Sequence, residues 1–163
     1  MAKGKNKKDQ NHSPRITNRR ARRDYEVLDS FEVGIVLRGS EVKSIREGRA
    51  QISEAFAKVD PNRMELFLFN MEISAYSHAG GANGHETLAI RKLLARRRQI
   101  SRLLVQSDDR GVTLIPLTLY FNERGMVKIE LGVCKGKKTH DKREDIKDKF
   151  SKRDLQRAMS KRV

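Results

Sequence analysis

Apolar and polar residues alternate from Phe31 to Arg38. Phe31, Val33, Ile35 and Leu37 fall on one face, and Glu32, Gly34, Val36 and Arg38 on the other. A period of two over this length predicts a half-buried strand within Tyr25–Leu37. Gly34 inside it predicts a bulge or a barrel bend. Gly39-Ser40 breaks the run, and Ser40 reads as the N-cap of a short helix Glu41–Glu47. Lys43 would then occupy N3, which forms no capping box. Val42 and Ile45 face inward in that helix, and Gly48 stops it.

A second strand region covers Ala50–Asp60, with Ile52, Ala55, Ala57 and Val59 inward and a turn at Pro61-Asn62. Met64–Ile73 is apolar almost throughout, which predicts a strand in contact on both faces. Ser77–Gly84 holds three glycines and an asparagine and reads as a loop. From Thr87 to Val105 the apolar spacing approaches that of a helix, through Ile90, Leu93, Leu94, Ile100, Leu103 and Leu104. Two further strands, Val112–Phe121 and Met126–Val133, are joined by Asn122-Glu123-Arg124-Gly125, a hairpin turn with glycine where φ must be positive. Five or six short strands without a βαβ rhythm predict a small antiparallel β-barrel. An OB-like barrel with two to three flanking helices is the leading fold.

Charge divides the 163-residue chain into three parts. Met1–Arg23 carries nine Lys/Arg and one Asp, net +8. Lys135–Val163 carries twelve Lys/Arg and five Asp/Glu, net +7, and the intervening Asp24–Cys134 carries fifteen of each sign. Basic arms without apolar residues to bury are expected to be disordered until a polyanion neutralises them. Nucleic acid rewards each cation with counterion release. The expected organisation is a disordered arm over 1–17, a barrel over 18–138, and a basic tail over 139–163. The tail's bulky apolar residues, Ile146, Phe150, Leu155 and Met159, form two i,i+4 pairs. A five-residue step between the pairs rotates the stripe by about 140°, so a tail helix would be marginal alone and form on a partner.

Other classes are disfavoured. Met1–Arg23 has no apolar stretch of the kind a secretory leader needs. No run approaches the roughly 20 apolar residues of a membrane span. The single cysteine, Cys134, allows no internal disulfide and suits a reducing, cytoplasmic setting. His12, His78, His85 and His140 are accompanied by no nucleophile motif, phosphate loop or dinucleotide fingerprint. No metal or cofactor is expected, and neither is catalysis.

The strongest basic constellation is Arg91-Lys92-Leu93-Leu94-Ala95-Arg96-Arg97-Arg98. Six basic residues and no acid lie between Arg91 and Arg102. On a helix they would make a phosphate-contact face. Lys135-Gly136-Lys137-Lys138 combines charge with a glycine that lets backbone approach a phosphate. Glu32, on the polar face of its strand, is either a solvated carboxylate or an acceptor for base amino groups.

In this order and spacing, several segments are specific together. They are Asn18-Arg19-Arg20-Ala21-Arg22-Arg23-Asp24-Tyr25, the strand Phe31–Leu37, Gly39-Ser40-Glu41-Val42-Lys43-Ser44-Ile45-Arg46, Ile90-Arg91-Lys92-Leu93-Leu94, and Lys135-Gly136-Lys137-Lys138 running into His140-Asp141-Lys142-Arg143. From Asn18 onward the chain resembles the small protein B (SsrA-binding protein) family of bacterial trans-translation. The resemblance implies an OB-type barrel and a tail unstructured when free. It also implies an adaptor that binds the tRNA-like domain of transfer-messenger RNA (tmRNA) and delivers it to stalled ribosomes. The partners implied are tmRNA and the decoding centre and mRNA channel of the small subunit, with the free protein a monomer. Carried over by motif, tmRNA contacts fall on Asn18, Glu32 and Leu94, with Lys128, Lys135, Lys137 and Lys138 on the backbone; Arg19, Arg20, Arg22, Arg91, Lys92 and Gly136 complete the RNA-binding set. Leu94 is in conflict, because periodicity places it in the core. Asp141, Lys142, Arg143 and Ile146 match the tail that acts on the ribosome, and Phe150, Leu155 and Met159 match in character. A small ribosomal or initiation-factor-like protein holding rRNA, or a general RNA chaperone, fits the charge layout equally well. Only the ordered motifs separate these readings.

Overall fold

The computed structural model describes residues 13–76 and 84–160. The expectations for residues 1–12, 77–83 and 161–163, and for the side chains of Asp141 and Leu155, fall outside the described residues.

The described chain runs β1 (Ile16–Thr17), α1 (Arg19–Asp24), β2 (Tyr25–Ile35), α2 (Gly39–Arg46), β3 (Ala50–Gln51), β4 (Phe56–Asp60), β5 (Glu65–Phe69), β6 (Glu72–Ile73), β7 (Arg91–Leu94), α3 (Arg97–Ser107), β8 (Val112–Phe121), β9 (Val127–Gly136) and α4 (Thr139–Ser160). The strand order β8-β4-β5-β7-β2-β9 closes through the β8–β9 pairing, and every pairing is antiparallel. This is the expected OB-like barrel. β1 adds to the outside edge of β8 through Ile16↔Leu119 and Thr17↔Thr118. β3 and β6 form a separate two-stranded ribbon.

The alternation read from the sequence positions the core. Val33, Leu66, Leu68, Leu93, Leu114, Leu119, Ile129 and Leu131 fill the barrel, with Phe31, Ile35 and Leu37 packed against them. Ile45 from α2 and Leu103 from α3 join that core from outside. A second, smaller cluster of Ala21, Ile115, Leu117 and Cys134 lies beneath α1.

Several expectations are corrected. The segment from Thr87 is not one helix, because Arg91–Leu94 is a strand and the helix begins at Arg97. Leu93 faces the core opposite Leu66 and Ile35. The period of two becomes visible once Arg91 is counted as an inward residue. The N-terminal boundary at residue 18 is also too late, since Ile16 and Thr17 already pair with β8. α2 begins at Gly39 with Arg38 as N-cap, which puts Glu41 at N3, where its Oε2 accepts the Arg38 N–H at 2.7 Å. Gly34 is not a bulge; the register shifts at Val27/Asp29 in β2 and at Pro116/Thr118 in β8. Over the tail, expected to be disordered when free and helical on a partner, the chain has a helix, Thr139–Ser160. That stretch holds no glycine or proline, and its Ile146–Phe150 pair faces α1 across a cleft of about 610 Å³. The hairpin turn stands as read, with Gly125 at φ +75°.

Candidate nucleic-acid interface

Cross-strand partners in an antiparallel sheet share a face. Glu32 on β2 lies opposite Glu130 on β9, and Gly34 opposite Lys128; on β8, Thr118 pairs with Glu130 and Tyr120 with Lys128. Gly34 also pairs with Leu94 of β7. Since Val33, Ile129 and Leu119 point inward, Glu32, Leu94, Tyr120, Lys128 and Glu130 share an outward patch on the barrel, with Gly34 and Thr118 buried beneath it. Glu32 is exposed within it and accepts a hydrogen bond from the Tyr120 hydroxyl. The Arg15 guanidinium stacks over the Tyr120 ring, 5.5 Å from its centroid. Burial, and then the hydrogen bond to Glu32, push the Tyr120 phenol up to about 12. It is therefore a donor across the physiological range.

Leu94 belongs to this patch and not to the core, at 52% exposed. The missing side chain at Gly34 gives it room, because a Cβ there would stand 3.3 Å from Leu94 Cβ, a tight contact. Outward placement of an apolar side chain beside a carboxylate suits contact with a base face and edge.

From Glu130 the surface continues into a groove of about 420 Å³, lined by Arg22, Tyr25, Ser30, Leu117 and Lys137 among others. Lys135 and Gly136 are exposed at the end of β9, opposite Glu26 and Tyr25, and Lys138 is exposed beyond them. The register thus puts Glu32, Leu94 and Lys128 on one outward face, and the groove beside Glu130 extends it to Arg22 and Lys137. Lys135, two residues after the inward Val133, is on the other face of β9 at its exposed end. Arg19 and Arg20 point elsewhere, into the cleft shared with α4, where Arg23, Lys149, Arg153, Ile146 and Phe150 also lie. Arg20 is engaged by Glu54 and by Asp24 at 3.6 Å. Lys142 stands 3.8 Å from Asp24, while Arg143, Phe150 and Met159 are exposed along α4.

Two expected RNA contacts are turned inward instead. Asn18 is 1% exposed. Its Oδ1 caps α1 by accepting from the Ala21 N–H at 2.9 Å, and its Nδ2 donates to the Ile52 and Pro116 carbonyls at 2.9 and 3.1 Å. Arg91 is buried too, its Nε donating to Glu41 and its two Nη atoms to the carbonyls of Met71, Ala89, Glu86 and Thr87. Both Nδ2 donors of Asn18 and all five guanidinium donors of Arg91 are thus engaged within the protein. Lys92 faces out but is paired with Glu65.

His85 is likewise structural. Its Nε2 lies 3.1 Å from both the Ile73 and Ser74 carbonyls, so Nε2 carries the hydrogen and Nδ1 accepts from the Ser40 hydroxyl at 3.0 Å. Sequence reasoning missed Tyr120, Arg15 and Glu130. Tyr120 was legible only as an outward position of a strand whose bulge shifts the alternation. Among the described residues no group of three or more His, Cys, Asp or Glu could hold a metal ion, and no helix is long and apolar enough to cross a membrane.

Comparison with known proteins agrees with this architecture. A family model described as "SmpB protein" matches residues 15–161. An SsrA-binding protein of Geobacillus thermodenitrificans is 47% identical over 145 residues, covering 89% of this chain and 91% of its own. One from Corynebacterium efficiens is 44% identical over 163 residues, covering 100% and 97%. A solved chain from "tmRNA-SmpB: a journey to the center of the bacterial ribosome" superposes with a TM-score of 0.65 at 43% identity, covering 78% of this chain and 87% of that one.

Proposed function

The chain belongs to the SmpB protein family, and from that premise we propose that it is a non-catalytic adaptor whose outward β2/β8/β9 patch reads the tRNA-like domain of tmRNA. It binds tmRNA and acts with it on the ribosome in trans-translation. The single observation that supports this reading is the shared outward face of Glu32, Leu94 and Lys128, continuous through the Glu130 groove with Arg22 and Lys137.

The roles differ by chemistry. Glu32 accepts from base amino or imino groups, and Leu94 packs on an unstacked base. Lys128, Lys135, Lys137 and Lys138 meet phosphates, and Gly136 lets the backbone come close. The tail, α4 with Asp141–Arg143 near its start, occupies the mRNA channel left empty when a message lacks a stop codon. A channel filled with message would exclude it sterically. The protein works in the cytoplasm, as a monomer until it meets RNA.

Binding of the purified protein to the tRNA-like domain and to ordinary tRNA, across a salt series, tests this reading. Nonspecific attraction loses affinity for both RNAs with a log–log slope near −0.7 per neutralised phosphate or steeper. The reading expects much tighter binding to the tRNA-like domain, persisting at high salt and falling on Glu32→Ala. Equal binding to both RNAs, indifferent to Glu32, would overturn it.

A further inference from the structure

We propose that Tyr120 is a positioning residue for RNA recognition, holding the Glu32 carboxylate in its reading orientation while Arg15 of the N-terminal segment clamps the tyrosine ring. The inference rests on the assignment of Glu32 as an RNA contact and adds how that contact is made selective.

Glu32 is a flexible side chain on an exposed face, and left alone its carboxylate would sample several rotamers. The hydroxyl of Tyr120 donates to its Oε2. That bond crosses β9, since Tyr120 and Glu32 flank opposite sides of the Lys128–Glu130 stretch. A carboxylate accepts through two oxygens with about four lone-pair sites, so one bond from tyrosine orients the plane and leaves Oε1 open toward solvent. A phenol is a suitable orienting group because its ring allows only two torsions and it stays protonated here.

The ring is itself held. Tyr120 lies between Lys128 on β9 and the β1 end of the N-terminal segment, where Thr17 pairs with Thr118. Arg15, just before β1, covers the ring face at 5.5 Å. Glu130 lies on the same face, opposite Glu32, and its negative charge would push a free Glu32 side chain aside. Tyrosine at 120 offsets that push with a directed bond. The N-terminal segment thereby enters the recognition site through a ring it covers.

The test measures affinity for the tRNA-like domain and for ordinary tRNA with the full-length protein, Tyr120→Phe, Glu32→Ala and the double variant, alongside the melting temperature of each. Tyr120→Phe keeps the ring and the Arg15 contact and removes only the hydroxyl. The expected result is a loss of about tenfold for the tRNA-like domain, no change for ordinary tRNA, and no further loss when Tyr120→Phe is added to Glu32→Ala. A purely structural role for the hydroxyl would lower the melting temperature and weaken both RNAs alike, in the Glu32→Ala background as well, and would overturn the proposal. If Glu32→Ala weakens binding but Tyr120→Phe leaves it intact, the proposal fails while the Glu32 reading stands. If Glu32→Ala has no effect, both fail together.

Discussion

Arg91 and Glu41 form an ion pair at 2.8 Å in which the side chains are 2% and 5% exposed. The other carboxylate oxygen of Glu41 takes the N-cap amide of α2, and the guanidinium's remaining donors go to four carbonyls of the segment leading into β7 and of the residue before β6. One arginine therefore ties β7, α2 and the 86–89 segment together. Arg91→Ala strands a buried carboxylate and should cost about 3–5 kcal/mol, measured by urea or thermal unfolding. Arg91→Lys should not restore the loss, since an ammonium offers three donors without the planar fork. Any drop in RNA binding should track the unfolded fraction.

Asn18 gives a second case in which lost RNA binding would have a structural origin. Asn18→Ala removes an N-cap and leaves the Ile52 and Pro116 carbonyls without their donor, at a cost of about 1–3 kcal/mol. Asn18→Asp keeps the cap but sets a buried carboxylate oxygen against both carbonyls, so it should be no more stable than Asn18→Ala. Chemical denaturation of the three proteins checks the order.

Leu93 and Leu94 are neighbours with opposite fates. Leu93→Ala opens a cavity in the barrel and should cost about 2–5 kcal/mol. Leu94→Ala, at an exposed position, should change stability by no more than about 0.5 kcal/mol while weakening binding to the tRNA-like domain. Melting curves paired with RNA titrations separate the two effects.

Alkaline pH should destabilise the fold through two buried or partly buried acids. Burial pushes the Cys134 thiol up from 9.0 to about 11, and Tyr120 goes from 10.0 to about 12. Both groups hold their proton more tightly when folded. Their contribution is complete below about pH 9 and is lost as pH rises through 11 and 12. Unfolding free energy followed across this window should fall, and Cys134→Ser or Tyr120→Phe should each flatten part of the decline. At neutral pH Cys134 should resist alkylation until the protein is unfolded.

Deletion of Asp141–Val163 should leave affinity for the tRNA-like domain within about fivefold, because an exposed pair such as Lys142–Asp24 contributes at most about 1 kcal/mol. Peptide tagging on stalled ribosomes should disappear. Loss of RNA binding on deletion would show that α4 and the arginines of α1 bind RNA as a unit.

The barrel was legible where a strand alternates cleanly, as from Phe31 to Leu37, and where a turn is marked, as at Gly125; Ala50–Asp60 is instead two strands, β3 and β4, separated by a turn at 53–54. β7 was misread because a single buried arginine breaks the apolar pattern, and only its partner, 50 residues earlier, explains why it can be buried. The same blindness affected the site. Glu32 and the Lys135–Lys138 run show themselves by type and position, but whether Asn18 and Arg91 face RNA or protein depends on carbonyls from distant elements. Tyr120 and Glu32, 88 residues apart, become partners only when β8 and β9 pair.

Closure also sets the order in which this chain can be completed. β2 lies near the start of the sequence, yet Tyr25 waits for Gly136, and the buried Val33 waits for Ile129. As the chain leaves a ribosome, the inward face of β2 stays without its main partner until almost the whole barrel has been synthesised, so the fold forms late and by non-local pairing. Any product broken off before β9 retains α2 and the β4–β5 hairpin but presents open sheet edges. Such a fragment would be a target for aggregation and proteolysis, so a partly made copy should be cleared before it can compete for RNA.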